Sequence, residues 1–140
     1  MTRTSQGHDK DMSRKRIEGI QPLRLAPPAG HYTHAVRAGD WVFVSGQLPI
    51  TASGEKLIDA SFEIQTRQVL ANVEAAVLSA GATRDCLVQV RVYLADVTDW
   101  PHFDVLYAEW IGAHRPARAV VPVPALHYGL RLEVEATALC

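Results

Sequence analysis

The sequence predicts a single α+β domain, a mixed β-sheet of about six strands with two helices packed on one face. Three observations lead there. After Gly129 the chain alternates strictly, with Leu130, Leu132, Val134, Ala136 and Ala138 on one side and Arg131, Glu133, Glu135 and Thr137 on the other, as a half-buried strand does. Two other segments carry apolar residues at helical spacing and end on glycine. The order along the chain is β-β-α-β-α-β-β, helices following strands with a hairpin expected at each end.

Residues 1–22 are polar and charged with no apolar period, which predicts a flexible arm ahead of a domain spanning 23–140. His31 to Arg37 is short enough for an edge strand, and Ala38-Gly39-Asp40 turns the chain into Trp41 to Ser45, a β-branched and aromatic strand. Gly46 at its end permits close approach of another backbone or a ligand. Asp59 or Ser61 supplies the cap of a helix that carries Val69, Val73, Ala76, Val77 and Ala80 and stops at Gly81. Leu87 to Leu94 reads as a central strand, with Val88, Val90, Val92 and Leu94 facing one way. Thr98 or Asp99 caps a second helix, with Pro101 in its first turn and Phe103, Leu106, Tyr107, Trp110 and Ile111 on one face. Arg118 opens the next apolar run, and His127, Tyr128 and Gly129 turn the chain into the last strand. Two helices cannot cover both faces of such a sheet, so self-association is expected.

Composition excludes several function classes. With 14 basic and 15 acidic side chains the chain has no charge excess to hold a nucleic acid, and no basic stripe runs beside aromatic residues. No apolar stretch nears the ~18 residues of a membrane span. Two cysteines, Cys86 and Cys140, suggest neither a disulfide framework nor a zinc site, which makes a reducing cytoplasm the default. His31 and His34, three apart in an extended segment, fall on opposite faces and make a poor ligand pair. No metal or cofactor is expected.

Arg118, in apolar company, calls for an anionic partner in the protein or in a ligand, because an unpaired buried charge is costly. A structural pairing with Glu133 or Glu135 on the last strand would satisfy it. So would a substrate carboxylate, whose geometry matches the two-pronged guanidinium.

The landmarks Gly30-His-Tyr-Thr-His-Ala-Val, Val44-Ser-Gly-Gln-Leu-Pro, Val92-Tyr-Leu-Ala-Asp, Tyr107, Pro116-Ala-Arg-Ala and Leu132-Glu-Val-Glu-Ala, in this order and spacing, resemble the reactive intermediate deaminase (Rid, YjgF-like) family. The resemblance runs from about Gly30 to Ala138. It implies a chorismate-mutase-like fold, a homotrimer with sites between subunits, and hydrolysis of reactive enamines and imines to carbonyl compounds and ammonia. By position it implies Arg118 as the carboxylate binder, Glu135 as the water-handling acid, Tyr32 as the site tyrosine, and Ser45 and Gly46 as substrate contacts. Asp104 stands where the family often has Asn, His31 where it often has Pro, and Val120 where it often has Cys. The expected substrate is a small 2-imino acid of the 2-aminoacrylate type, as for a 2-iminobutanoate/2-iminopropanoate deaminase. Two other functions fit the same resemblance: deamination of a larger conjugated enamine such as 2-aminomuconate, and a non-catalytic module that binds 2-oxo acids or acts in stress.

Overall fold

The computed structural model describes residues 16–140. Its strands are β1 (Ile17–Ile20), β2 (Ala35–Ala38), β3 (Trp41–Gln47), β4 (Leu87–Leu94), β5 (Ala117–Pro122) and β6 (Leu132–Leu139), and its helices are α1 (Phe62–Ser79) and α2 (Trp100–Ile111). They form one sheet in the order β1-β2-β3-β6-β4-β5. Every neighbouring pair is antiparallel except β4 and β5, so the sheet is mixed.

The hairpin expected between β5 and β6 does not form. The β4-α2-β5 unit is a crossover, which sets β5 parallel to β4 on its outer side, and β6 enters between β3 and β4. Arg118 on β5 and Glu135 on β6 are therefore not on adjacent strands. A second correction concerns the arm expected over 1–22. Ile17–Ile20 pairs with β2, and the amide of Gly39 donates to the Arg16 carbonyl at 2.8 Å. This strand escapes an apolar pattern because it is an edge, with Ile17, Glu18 and Gly19 all exposed. The rest of the expected arm, 1–15, lies outside the described residues.

β2 and β3 join through a two-residue turn whose Gly39 has φ +61°, a conformation glycine adopts without strain. Ser61, not Asp59, caps α1, its hydroxyl accepting from the Ile64 amide. The helix closes in a Schellman turn, Ala82 N–H donating to Val77 and Gly81 N–H to Leu78, with Gly81 at φ +84°. Asp99 occupies the N-cap position of α2, yet its carboxylate takes both hydrogen bonds from Arg131 Nη2 and does not cap.

Both helices lie on the face where Val42, Val44, Val90, Val92, Val134, Ala136 and Ala138 alternate inward, and Phe62, Val69, Val73, Val77 and Phe103 fill the layer between. A bulge in β4 shifts the expected pattern: Leu87 pairs with Ala138 and Gln89 with Thr137, so Val88 is extra, Leu87 is buried and Val88 is exposed. The opposite sheet face is uncovered and carries Trp41, Phe43 and Val121 beside polar residues.

Cys86 and Cys140 are joined by a disulfide, with their Cα atoms 5.5 Å apart. The two cysteines, which suggested no disulfide in the sequence, thus form one, because the register that sets Leu87 against Ala138 brings Cys140 beside the start of β4. The bridge closes a sequence separation of 54, and Arg37 supports the same corner by donating to the carbonyls of Ala80 and Cys140. Loop-closure entropy of that length predicts that reduction, or the double Cys86→Ser/Cys140→Ser variant, lowers unfolding free energy by about 2–4 kcal/mol. Urea midpoints measured with and without dithiothreitol test this, and coincident midpoints contradict it.

Candidate functional site

The site begins with an irregularity in the pairing of β3 and β6. Val44 faces Ala136 and Gln47 faces Val134, so Ser45 and Gly46 together occupy the place opposite Glu135. Such a bulge bends the strand, which resumes its pairing at Gln47. Ser45 then ties down the preceding loop: its amide donates to the His34 carbonyl at 2.9 Å and its hydroxyl to the Thr33 carbonyl at 2.6 Å. That fixes the segment carrying Tyr32. The buried His34 ring is held on both nitrogens, by the Ala26 carbonyl at Nε2 and by Gln47 at Nδ1. It is a pin in the wall, with no lone pair left for a metal.

Around the bulge opens a cavity of about 630 Å³, with Tyr32, Ser45, Gly46, His127, Tyr128 and Glu133 in its wall and Leu25, Leu48 and Ile50 among its apolar lining. The buried Asn72 of α1 holds one side in place by donating to the carbonyls of Leu48 and Ile50. Glu133 approaches the bulge so closely that a β-carbon on Gly46 would lie 2.6 Å from Oε2. Only glycine leaves the carboxylate that position.

Burial pushes the Glu133 carboxyl above the usual carboxylate range; the positive His127 pulls it back and Glu135 raises it further. Among the described residues no protein hydrogen bond satisfies it. Glu135, the acid singled out in the sequence, stands elsewhere: it is outside the wall of this cavity, faces Arg91 across the β4–β6 ladder, and accepts a hydrogen bond from Tyr93. That bond, with burial and the Glu135 charge, holds the Tyr93 phenol above its ordinary value. The two glutamates share a strand face two residues apart, and strand alternation cannot distinguish them.

Arg118 belongs to a different neighbourhood. It faces the helix side of β5, opposite Val90, where Nη1 meets Asp104 Oδ1 at 2.8 Å and the guanidinium lies 4.8 Å from the Tyr107 ring centroid. Neither Glu133 nor Glu135 pairs with it. Burial raises the Tyr107 phenol, an effect Arg118 opposes and Asp104 reinforces. Within one chain, then, Tyr32, Ser45 and Gly46 come together with Glu133, whereas Arg118 and Asp104 form a separate cluster at the sheet edge. Two residues of this wall carry no site role in the sequence reading: Glu133 stands there only as a partner for Arg118, and His127 only as a turn residue.

A family model described as "Endoribonuclease L-PSP" matches residues 23–140. The chain belongs to this family. It is also the YjgF-like family that the sequence landmarks resemble. L-PSP relatives include a RutC family protein of Pyrococcus horikoshii, 37% identical over 111 residues that make up 79% of this chain and 88% of that protein. Another is named Reactive Intermediate Deaminase A, chloroplastic, from Arabidopsis thaliana, 35% identical over 81% of this chain and 61% of its own length. The crystal structure of yeast Mmf1 superposes with a TM-score of 0.84 at 31% identity, covering 88% of this chain and 98% of that one. Escherichia coli TdcF with bound serine superposes at 0.83, with 31% identity and the same coverage. The six-stranded sheet with two helices is the L-PSP fold.

The contact between Gly46 and Glu133 predicts the effect of Gly46→Ala. Its methyl group meets the end of a flexible side chain, so the fold should survive with its melting temperature within a few degrees while the carboxylate is displaced. Titration with 2-oxobutyrate should show at least about tenfold weaker binding, and in a Glu133→Ala background, whose side chain no longer reaches Gly46, the same change should cost far less. Equal losses in both backgrounds would show that the two residues act independently.

Proposed function

We propose that this L-PSP protein is a hydrolytic deaminase of small reactive enamines and imines, converting 2-imino acids of the 2-aminoacrylate type to 2-oxo acids and ammonia. The observation that carries this reading is the Glu133 carboxylate, half-buried and seated against Gly46 in a cavity shared with Tyr32 and Ser45. A protonated C=N carbon is already a strong electrophile, so the protein needs to position a water and take its proton. A carboxylate whose basicity burial has raised suits that task. Glu133 takes the role expected of Glu135. As the water oxygen bonds to the C=N carbon, its proton passes to Glu133 and the π pair moves to nitrogen. The Ser45-Gly46 backbone and Tyr32 border the reacting centre. Among the described residues the wall carries no lysine or arginine, and in this proposal the carboxylate grip comes from Arg118, held ready by Asp104 and supplied by an adjacent copy in a homotrimer. The uncovered sheet face with Trp41, Phe43 and Val121 is the surface that such assembly would bury.

An RNA-cleaving function, which the family description names, would call for basic residues where this wall places an acid. Among the described residues no helix is long and apolar enough to cross a membrane. A cytoplasmic site of action belongs to the same proposal, with the Cys86–Cys140 bond standing against it because glutathione keeps most cytosolic thiols reduced.

Glu133→Gln separates base catalysis from packing. Turnover should fall by roughly 10²–10⁴ while 2-oxobutyrate still binds, and Glu135→Gln should leave turnover within a few-fold. Stability should move the opposite way. A carboxyl raised in the folded state contributes stability that is present below the unfolded-state value and lost as pH rises through the folded one. At neutral pH the Gln variant should therefore be the more stable protein, and its advantage should vanish in acid. Ammonia release from freshly generated 2-aminoacrylate, with denaturant melts at two pH values, measures both; an active Glu133→Gln removes this residue from the chemistry.

A further inference from the structure

The departing nitrogen needs a proton, and the cavity holds a second titratable group besides Glu133. His127 lies in the short helical turn His127–Gly129, read in the sequence only as a turn, and its ring borders the cavity. The turn is built under constraint. Tyr128 adopts φ +63°, ψ 11°, the only positive φ among the described non-glycine residues, and such backbone costs recur where a side chain must be held in a chosen place. Leu130, almost fully buried, anchors the turn as its amide donates to the His127 carbonyl at 3.1 Å. Lys56 Nζ sits 4.7 Å from the centre of the Tyr128 ring and braces it from outside.

His127 and His34 are the histidines of the cavity wall, and they differ in their partners. His34 is bonded at both ring nitrogens. Among the described residues the His127 ring makes no hydrogen bond, although its charge is felt at Glu133. A histidine beside a carboxylate with its ring nitrogens unengaged has the donors a departing amine requires.

We propose that His127 is the proton donor to the leaving nitrogen, acting in the same cavity as Glu133. This rests on the deaminase reading above. After water adds, the carbon bears OH and NH₂, and Glu133 holds the water's proton. The His127 imidazolium gives its proton to NH₂, the C–N bond breaks with its electron pair going to nitrogen, and ammonia departs. The hydroxyl proton then passes to the neutral imidazole as the carbonyl forms, which restores the imidazolium. Glu133 releases its proton to ammonia or solvent, so one iminium and one water give one 2-oxo acid and one ammonium. The titratable and charged groups around His127 in this part of the molecule are Glu133 and, beyond it, Glu135 on β6, Tyr32 and His34 from the loop entering β2, and Tyr128 with Lys56 over its ring.

The test compares the parent protein with His127→Gln and His127→Ala, using ammonia release from 2-aminoacrylate between pH 5 and 9 and calorimetric binding of 2-oxobutyrate. The proposal predicts that the parent rate falls on the alkaline side as the imidazolium is lost. In His127→Gln, kcat should drop by roughly 10²-fold with 2-oxobutyrate affinity within threefold, and the alkaline limb should disappear. Added imidazole should restore His127→Ala saturably. A His127→Gln protein with parental kcat and an unchanged alkaline limb overturns the proposal while leaving the deaminase reading intact. A variant that loses 2-oxobutyrate binding and is not rescued by imidazole overturns it in favour of a structural turn residue. A parent protein that releases no ammonia above background overturns both.

Discussion

The alternation along Leu132–Leu139 is the constraint on which the rest of the structure depends. Leu132, Val134, Ala136 and Ala138 are almost wholly buried under the helices, so the register of this central strand cannot slip by one residue without turning its carboxylates into the core. With one face committed to packing, Glu133, Glu135 and Thr137 must project from the other. The bulge at Ser45-Gly46 then decides what becomes of them. It brings Gly46 against Glu133 in the cavity wall and leaves Glu135 beside Arg91 and Tyr93 in the β4–β6 ladder. One extra residue in β3 thus gives two chemically identical side chains different surroundings.

The arginine shows the same economy from the opposite side. Arg118 is only about one-fifth exposed, and Asp104 with the faces of Tyr107 and Phe103 holds its guanidinium in one orientation. Asp104 is about half exposed, so the pair remains open to water and to a competing carboxylate. Such a pair contributes little stability of its own, and its value lies in preorganising a charge. An acid in place of an amide at 104 sharpens that effect, since an incoming carboxylate must share or displace Asp104. The proposed site therefore has two halves of opposite charge on one chain, far apart in the sheet order, and assembly is what would bring them together.

Much of this was legible in the residues. The two helices, their glycine stops and the one-sided packing follow from spacing, and Ser45-Gly46 was visible as a glycine ending a strand. What local pattern could not reveal is pairing. A hairpin between β5 and β6 is the simplest connection across a turn, and the crossover through α2 overrides it only in three dimensions. Ile17–Ile20 carries too little apolar signal to be seen as a strand, because its pairing is entirely through backbone and one edge. Cys86 and Cys140 meet for the same reason of register. The choice between Glu135 and Glu133 is a question of another kind: both lie on the polar face, and what sets Glu133 apart is a contact with Gly46 that no periodicity encodes.

The central claim is that the cavity around Glu133 is completed by Arg118 from another copy of the chain. Subunit complementation measures this most directly. Arg118→Ala and Glu133→Gln proteins, each inactive alone, are unfolded, mixed in equal amounts and refolded, and ammonia release is recorded. If each site takes its two groups from different subunits of a trimer, random assembly gives every mixed trimer one intact site, and about one quarter of the parental activity should return. Activity no greater than that of the two variants alone, in a preparation shown to contain mixed trimers, would place both residues in the same chain's site and contradict the account.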